Sequence, residues 1–275
     1  MSTSRAERLT THAVLIVFSA LVIVPMLVIV VTALHPPGAL TSGFSLPSSF
    51  SLETFRQAWV TGHFSTYMRS SVIVTVAVVA IATLLSTLAG YALATMRFRG
   101  AELLSYVFLI GLMVPFEAMV IPLYYDLREQ GLTETYWALI LPQAGLSLSF
   151  GTFWMRAFFR AVPRQLIEAA RVDGASSWTV LWRILVPLGW PALSTLMVLL
   201  FMFSWNEFLL ALVMVDASEA HRTAPLGLAN FQSRFGADVP GAAAASLMVA
   251  LPVFVLYLFL HRRFIRGMLG GAIKG

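Results

Sequence analysis

Residues 163–187 read PRQLIEAARVDGASSWTVLWRILVP and lie between two long apolar blocks. The stretch carries charged side chains along its length and is too polar to cross a lipid bilayer. Pro163 suits the first turn of a helix, and Gly174 is typical of the left-handed residue that ends one. We therefore predict a helix over residues 164–173, followed after Gly174 by a second helix.

The second helix has a clear start and one apolar face. Ser176 or Ser177 suits the N-cap, because a serine hydroxyl accepts a hydrogen bond from a backbone N–H of the first turn. Large apolar residues then recur three and four positions apart, which predicts a single apolar stripe. The stripe consists of Trp178, Leu181, Trp182 and Leu185. The two helices form a bent segment at the membrane surface, which we call the elbow (residues 163–187).

The composition around the elbow is that of a membrane protein. Of the 275 residues, 59% are hydrophobic and 11% charged, with a mean hydropathy of +0.83, against ~45–50% and ~25% in soluble domains. Six blocks reach the ~20 apolar residues that a transmembrane helix needs. They cover about residues 13–34, 72–96, 103–125, 137–159, 188–215 and 241–260. We predict an all-α polytopic membrane protein with six transmembrane helices.

Two regions allow further expectations. The first apolar block follows Arg5 and Arg8 and resembles a signal peptide, but its length favours an uncleaved anchor. One outer loop covers residues 35–71 and contains an amphipathic piece at 52–59. A second outer loop covers residues 216–240, and we expect it to be irregular because of its prolines and glycines.

The basic residues indicate the orientation, since lysine and arginine are retained on the cytoplasmic side. Most of the 18 lie in the terminal segments and in the loops that include the elbow. The opposite side holds only Arg56, Arg69, Arg128, Arg222 and Arg234. Both termini are therefore expected in the cytoplasm. Basic residues scattered in this way do not form a nucleic-acid-binding patch.

Signatures of catalysis are missing from the sequence. There is no cysteine, and the single lysine, Lys274, is not part of a nucleotide-binding P-loop. The five histidines are far apart and lack metal-ligand spacing. We expect a chain that is not an enzyme and that holds neither a metal nor a cofactor.

The first elbow helix contains Glu168, Ala169 and Ala170. Small side chains let another protein approach closely, and a carboxylate offers a charge-assisted contact, which meets the description of a docking helix. An ordinary amphipathic helix lying at the headgroups is the alternative.

Several motifs resemble the permease subunits of binding-protein-dependent ABC importers. Glu168-Ala169-Ala170, Asp173-Gly174-Ala175 and Ile184-Leu185-Val186-Pro187 resemble the EAA signature of that family. Further matches are Met113-Val114-Pro115, Ile121-Pro122-Leu123-Tyr124, Trp205-Asn206-Glu207-Phe208-Leu209 and residues 262–275. The resemblance covers nearly the whole chain and is closest to the smaller permease of maltose-type sugar transporters.

This resemblance implies one transmembrane domain over residues 1–275, in a bacterial inner membrane, with a cytoplasmic coupling loop over residues 160–187. A sibling permease, two ATPase subunits that bind ATP and Mg²⁺, and an external solute-binding protein are the implied partners. The ATPase contacts would be Glu168, Ala169, Ala170, Asp173, Gly174 and Pro187. The cytoplasmic tail, residues 262–275, would reach between the ATPases through Gly267, Gly270, Gly271 and Lys274, unless it is frayed or lipid-bound. The outer loop 216–240 would meet the binding protein.

Ionisable groups inside the membrane suggest a solute path. Glu117 and Glu207 should face the bundle interior or water, because charge in hydrocarbon is costly. Tyr124, Trp205 and Asn206 could add hydrogen bonds and a stacking face for a sugar. Alternatively, both carboxylates bind helices together. An ion-coupled secondary transporter using the two glutamates is the competing function, although it leaves the elbow unexplained.

The resemblance favours di- or oligosaccharides as the imported solute. Monosaccharides, amino sugars, polyols and glycerol phosphates are the alternatives, since close relatives transport them.

Overall fold

The computed structural model describes residues 5–39, 45–234 and 238–272, and these residues form helices and loops without a β-strand. The α-helices are α1 (Arg5–Ala33), α2 (Glu53–Thr61), α3 (Phe64–Thr95), α4 (Ala101–Met113), α5 (Phe116–Glu129), α6 (Trp137–Ala161), α7 (Arg164–Val172), α8 (Ser177–Thr179), α9 (Val186–Leu188), α10 (Trp190–Trp205), α11 (Leu209–Met214), α12 (Ala224–Arg234) and α13 (Val239–Ala272). A π-helical segment, Val180–Leu185, joins α8 to α9.

Four helices in the described residues are long and apolar enough to cross a membrane, and there are up to six crossings when two bent pairs are included. The four lie within α1, α3, α6 and α13. The bent pairs are α4 with α5, which meet at 100°, and residues 177–188 with α10, which meet at 79°. The all-α polytopic class is confirmed.

Two of the predicted spans are interrupted. The span predicted at residues 103–125 breaks at Val114 and Pro115, both of extended backbone. Proline cannot donate the helical hydrogen bond and disfavours helical geometry in the residue before it. The span predicted at 188–215 begins after a bend at Gly189 and breaks again between Trp205 and Leu209.

The chain divides into two compact units, one formed by residues 1–65 and 227–251 and the other by residues 66–226 and 252–275. In the first unit, the Thr54 hydroxyl donates a 2.5 Å hydrogen bond to the His35 carbonyl. The rings of Phe64 and Phe231 lie 6.0 Å apart in the same unit. Helix α2 confirms a helix at the predicted amphipathic piece.

In the second unit, α3 and α6 approach each other closely at glycines. A Cβ atom added to Gly90 would lie 2.8 Å from the Met155 Cβ and 2.9 Å from the Arg156 nitrogen. One added to Gly151 would overlap the Ser86 hydroxyl. Small residues at such contacts let transmembrane helices pack with their backbones close together.

The predicted irregular loop at residues 216–240 contains a helix, α12, which corrects that expectation. Pro225 and Gly227 are two of the residues behind that expectation. Pro225 lies in the first turn of α12, where a missing N–H removes no helical hydrogen bond.

Candidate functional site

The first arm of the elbow is α7, and its end is fixed by Gly174. Pro163 has extended backbone before the helix, and Gly174 follows Asp173 with φ +81°. The Ala175 N–H donates to the Ala170 carbonyl at 2.9 Å and the Gly174 N–H to the Arg171 carbonyl at 3.0 Å. This pair of bonds is the Schellman arrangement, which satisfies the last carbonyls of a helix. The helix and its left-handed stop are confirmed.

Helix α7 has one face inside the chain and one outside. Ile167 and Ala170 are buried and belong to a core that includes Leu181 and Leu185. The opposite side exposes Glu168, Ala169, Arg171 and Val172, with Val172 87% exposed. Leu166 is also exposed, so the open side of α7 combines charged and apolar surface.

The predicted contact residues differ in their burial within this chain. Ala170 is 8% exposed and packs inside the chain, so its small side chain serves the close approach of α7 to its own core. Glu168 and Ala169 remain on the open face together with Asp173 and Gly174. Neither of the two ion pairs among the described residues involves Glu168, so its carboxylate is available to a partner. The role of these residues in coupling stays a prediction.

The second arm begins at Ser176, whose hydroxyl accepts a hydrogen bond from the Thr179 N–H at 3.2 Å. Of the two serines predicted for this cap, the structure selects Ser176. Within the predicted stripe, Leu181 and Leu185 are buried, while the ring of the exposed Trp178 lies 5.5 Å from that of the half-buried Trp182.

The π-helical segment sets the spacing of the buried residues that follow α8. Val180 and Leu185 are both fully buried although they are five residues apart. A π-helix bonds residues five apart, so its faces do not follow the three-and-four spacing of an α-helix. Pro187, beyond the segment, is exposed. Gly189 then bends the chain against Phe158, whose ring would lie 2.5 Å from a Cβ added there.

Glu117 occupies the first turn of α5, directly after the bend at Pro115. Its side chain is exposed on this chain. Carboxylates near a helix N-terminus are stabilised by the helix dipole. Tyr124, two turns later, is half-buried, and its ring lies edge-on to Tyr125 at 5.6 Å.

The second group of predicted path residues lies at the break after α10, and each is engaged within the chain. Trp205 is 2% exposed and stacks on Phe201 with a centroid separation of 5.5 Å. The Asn206 Nδ2 donates to the Met202 carbonyl at 2.8 Å. The Glu207 carboxylate accepts hydrogen bonds from the N–H groups of Leu210 at 2.7 Å and Ala211 at 3.1 Å. Glu207 therefore caps α11, whereas the side chains of Glu117 and Asn206 are exposed.

Sequence reasoning missed a cavity at the bend between α4 and α5. Its volume is about 290 Å³, and its lining is mostly apolar. The residues that shape it include Gly111, Val114, Phe116, Met119, Pro142 and Ser149. Pro115 was the available signal, since a kinked helix leaves unfilled space on one side.

Loop contacts around Glu134 were also missed. Glu134 has φ +61°, and its carboxylate accepts a 2.7 Å hydrogen bond from the Ser218 N–H. The hydroxyls of Ser70 and Tyr136 both lie within hydrogen-bond distance of the Ala220 carbonyl, at 3.1 and 3.3 Å. These contacts order the first part of the loop predicted to meet a binding protein. Nothing in the local pattern around Glu134 predicts them, because the partners are distant in sequence.

The last predicted span, residues 241–260, agrees with the apolar stretch Val239–Phe259. Helix α13 continues beyond this stretch to Ala272. Gly267, Gly270 and Gly271 lie within this helix. Lys274 lies outside the described residues. Contact of the tail with ATPase subunits stays a prediction.

Comparisons with known proteins agree with this architecture. Residues 83–269 match the family described as the binding-protein-dependent transport system inner membrane component. The chain is 33% identical to the diacetylchitobiose uptake system permease protein NgcG of Streptomyces coelicolor, over 95% of this chain and 87% of that protein. It is 34% identical to the trehalose transport system permease protein SugB of Mycobacterium tuberculosis, over 92% and 93%.

A solved structure shares the fold. It is a chain from the crystal structure of a bacterial ABC transporter involved in the import of the acidic polysaccharide alginate, with a TM-score of 0.79 and 24% identity. The match covers 96% of this chain and 99% of that one. On the family match and the identities to its relatives, the chain belongs to the inner-membrane components of binding-protein-dependent transport systems.

Proposed function

We propose that this chain is the permease subunit of an ATP-driven importer of di- or oligosaccharides and forms the membrane pathway with a sibling permease. The elbow carries the proposal. Its first helix has a buried face joined to the chain's core and an open face with unpaired charge and an exposed Val172. The names of the relatives, which refer to diacetylchitobiose and trehalose, support a sugar as the solute.

In this function the open face of α7 docks in a cleft of a cytoplasmic ATPase subunit. The sequence offers no site for nucleotide in this chain, so two partner ATPases would bind ATP and Mg²⁺. When they close, they displace α7. The displacement passes through Ile167 and Ala170 to Leu181 and Leu185, and then past Gly189 to α10, because close-packed side chains transmit movement. Through this movement the membrane pathway opens alternately to the two sides of the membrane.

The proposed orientation places the elbow, both termini and the tail in the cytoplasm of a bacterial cell. An external binding protein would deliver the solute to the opposite side, where residues 216–222 are ordered by Glu134 and Tyr136. Glu117, exposed beside the bend in the α4–α5 pair, is the carboxylate we assign to the solute path. Its oxygens can accept hydrogen bonds from sugar hydroxyls.

Reversal of charge at Glu168 tests the coupling role. The complete complex carrying Glu168→Arg is reconstituted in liposomes, and ATP hydrolysis is measured with and without the loaded binding protein. We expect the solute-stimulated ATPase activity to fall at least about tenfold, since a lost charge-assisted contact combined with repulsion exceeds ~1.4 kcal/mol. Membrane insertion should be unchanged.

Glu129→Arg is the matched control, because Glu129 is an exposed carboxylate at the end of α5 and on the predicted outer side. This variant should retain stimulation. Full stimulation of the Glu168→Arg complex would exclude the elbow as the coupling element. A panel of radiolabelled disaccharides that includes diacetylchitobiose and trehalose tests the solute class, and uptake of none of them would refute that part of the proposal.

A further inference from the structure

A second, more polar cavity of about 450 Å³ lies where α3 ends, α4 begins and α6 ends. Arg156 and Arg160 line it from successive turns of α6, and Glu102, Ser105 and Tyr106 line it from α4. The Arg156 Nε is buried and has no hydrogen-bond partner among the described residues. A buried guanidinium nitrogen without a partner is costly, which indicates that a ligand supplies the missing acceptor.

The charges around the cavity favour an anion. Two guanidinium groups face one carboxylate, that of Glu102, and neither arginine forms an ion pair with it. The Tyr106 hydroxyl lies 3.5 Å from a Glu102 oxygen, which gives that carboxylate a donor within its own helix. Guanidinium groups bind phosphate oxygens in paired hydrogen bonds and do so better than ammonium groups.

The rest of the lining favours an amphiphile. Leu109 and Phe153 line the part of the cavity further into the membrane. From Ala101, at the membrane end, to Leu109 the helix rises ~12 Å. Tyr106 and Leu109 are exposed on the outer face of α4, so the cavity opens toward the surroundings of the helix. An acyl chain fits this apolar part, with the arginines at headgroup depth.

We propose that this cavity binds the phosphodiester headgroup of an anionic phospholipid, in the same leaflet as the elbow. Arg156 and Arg160 hold the phosphate, and Leu109 and Phe153 contact the first part of an acyl chain. Basic pockets between transmembrane helices on the cytoplasmic side are suited to anionic lipids. The site is independent of the transported solute.

Native mass spectrometry of the delipidated full-length chain, titrated with phosphatidylglycerol or phosphatidylcholine, tests the proposal. The wild-type chain should retain one phosphatidylglycerol at a concentration at which phosphatidylcholine does not bind. Arg156→Gln combined with Arg160→Gln should weaken that binding about thirtyfold, because each arginine near an anionic headgroup contributes about a fivefold factor.

Arg97→Gln combined with Arg99→Gln is the matched control, since it removes the same charge from the adjoining loop without altering the cavity lining. It should bind phosphatidylglycerol like the wild type. Ser105→Phe, which fills the cavity and keeps both arginines, should also abolish binding. Equal binding by wild type and cavity variants overturns the proposal, and so does equal loss in the control. Displacement of the lipid by millimolar inorganic phosphate would identify a site for free phosphate and refute the lipid assignment.

Discussion

Replacement of Gly174 by alanine isolates the backbone geometry of the elbow. Gly174 has φ +81°, and no atom lies within 4 Å of the position that an added Cβ would take. The substitution therefore introduces no clash, and its cost is the left-handed conformation itself, ~1–2 kcal/mol for a residue with a side chain. Gly174→Asn is the matched control, because asparagine tolerates this region better.

The cost should appear at the two amides that close the turn. The Gly174 and Ala175 N–H groups are bonded to Arg171 and Ala170. Hydrogen exchange of residues 174 and 175, measured by mass spectrometry on the complete complex, should be about 5- to 30-fold faster in Gly174→Ala than in the wild type. Gly174→Asn should exchange at an intermediate rate, and solute-stimulated ATPase activity should decrease in the same order. Identical exchange in all three proteins would refute the assignment of the turn.

Three further substitutions test other parts of the fold and site. Gly90→Ala should lower the unfolding free energy in detergent by ~1–3 kcal/mol, because the new methyl group meets backbone atoms of α6 that cannot move aside. A stability equal to that of the wild type would contradict the close contact. Ser176→Ala should cost ~1 kcal/mol in the same measurement, whereas the neighbouring Ser177→Ala should be near neutral. Glu207→Gln keeps an acceptor for the cap of α11, so this variant should retain uptake. Glu207→Ala removes the cap and should lose ~1 kcal/mol of stability. Loss of uptake in Glu207→Gln would instead assign the carboxylate to the solute path.

The helices of this chain could be predicted from its sequence because lipid imposes simple requirements. Apolar length identified the blocks, and each block contains a helix. Pro163 and Gly174 then predicted the ends of α7 because each acts through its own backbone, without help from distant residues.

The breaks and faces were harder to predict. Pro122, Pro142 and Pro252 all lie inside continuous helices, whereas Pro115 lies at the break between α4 and α5. The difference depends on which neighbours satisfy the freed carbonyls, and local sequence does not contain that information. The π-helical segment likewise follows from the packing of Val180 and Leu185 in the core, since their spacing does not match the α-helical period.

The predicted path residues show the same limit. The chemistry of Trp205 and Glu207 predicts path residues; within this chain Trp205 fills the core and Glu207 caps α11, and a role of either in the path stays a prediction. A residue type indicates what a side chain can bind. Only the fold determines whether that side chain is already bonded to other residues of the same chain.

Helix α1 takes up 29 of the 275 residues, and none of its most apolar stretch is buried within the chain. About a tenth of the residues thus lie in a helix whose most apolar stretch must contact lipid or another subunit instead of this chain. Positions of α1 that face only lipid need to stay apolar but not to keep a particular side chain, so they should diverge fastest among homologues. Positions that contact another subunit should vary less.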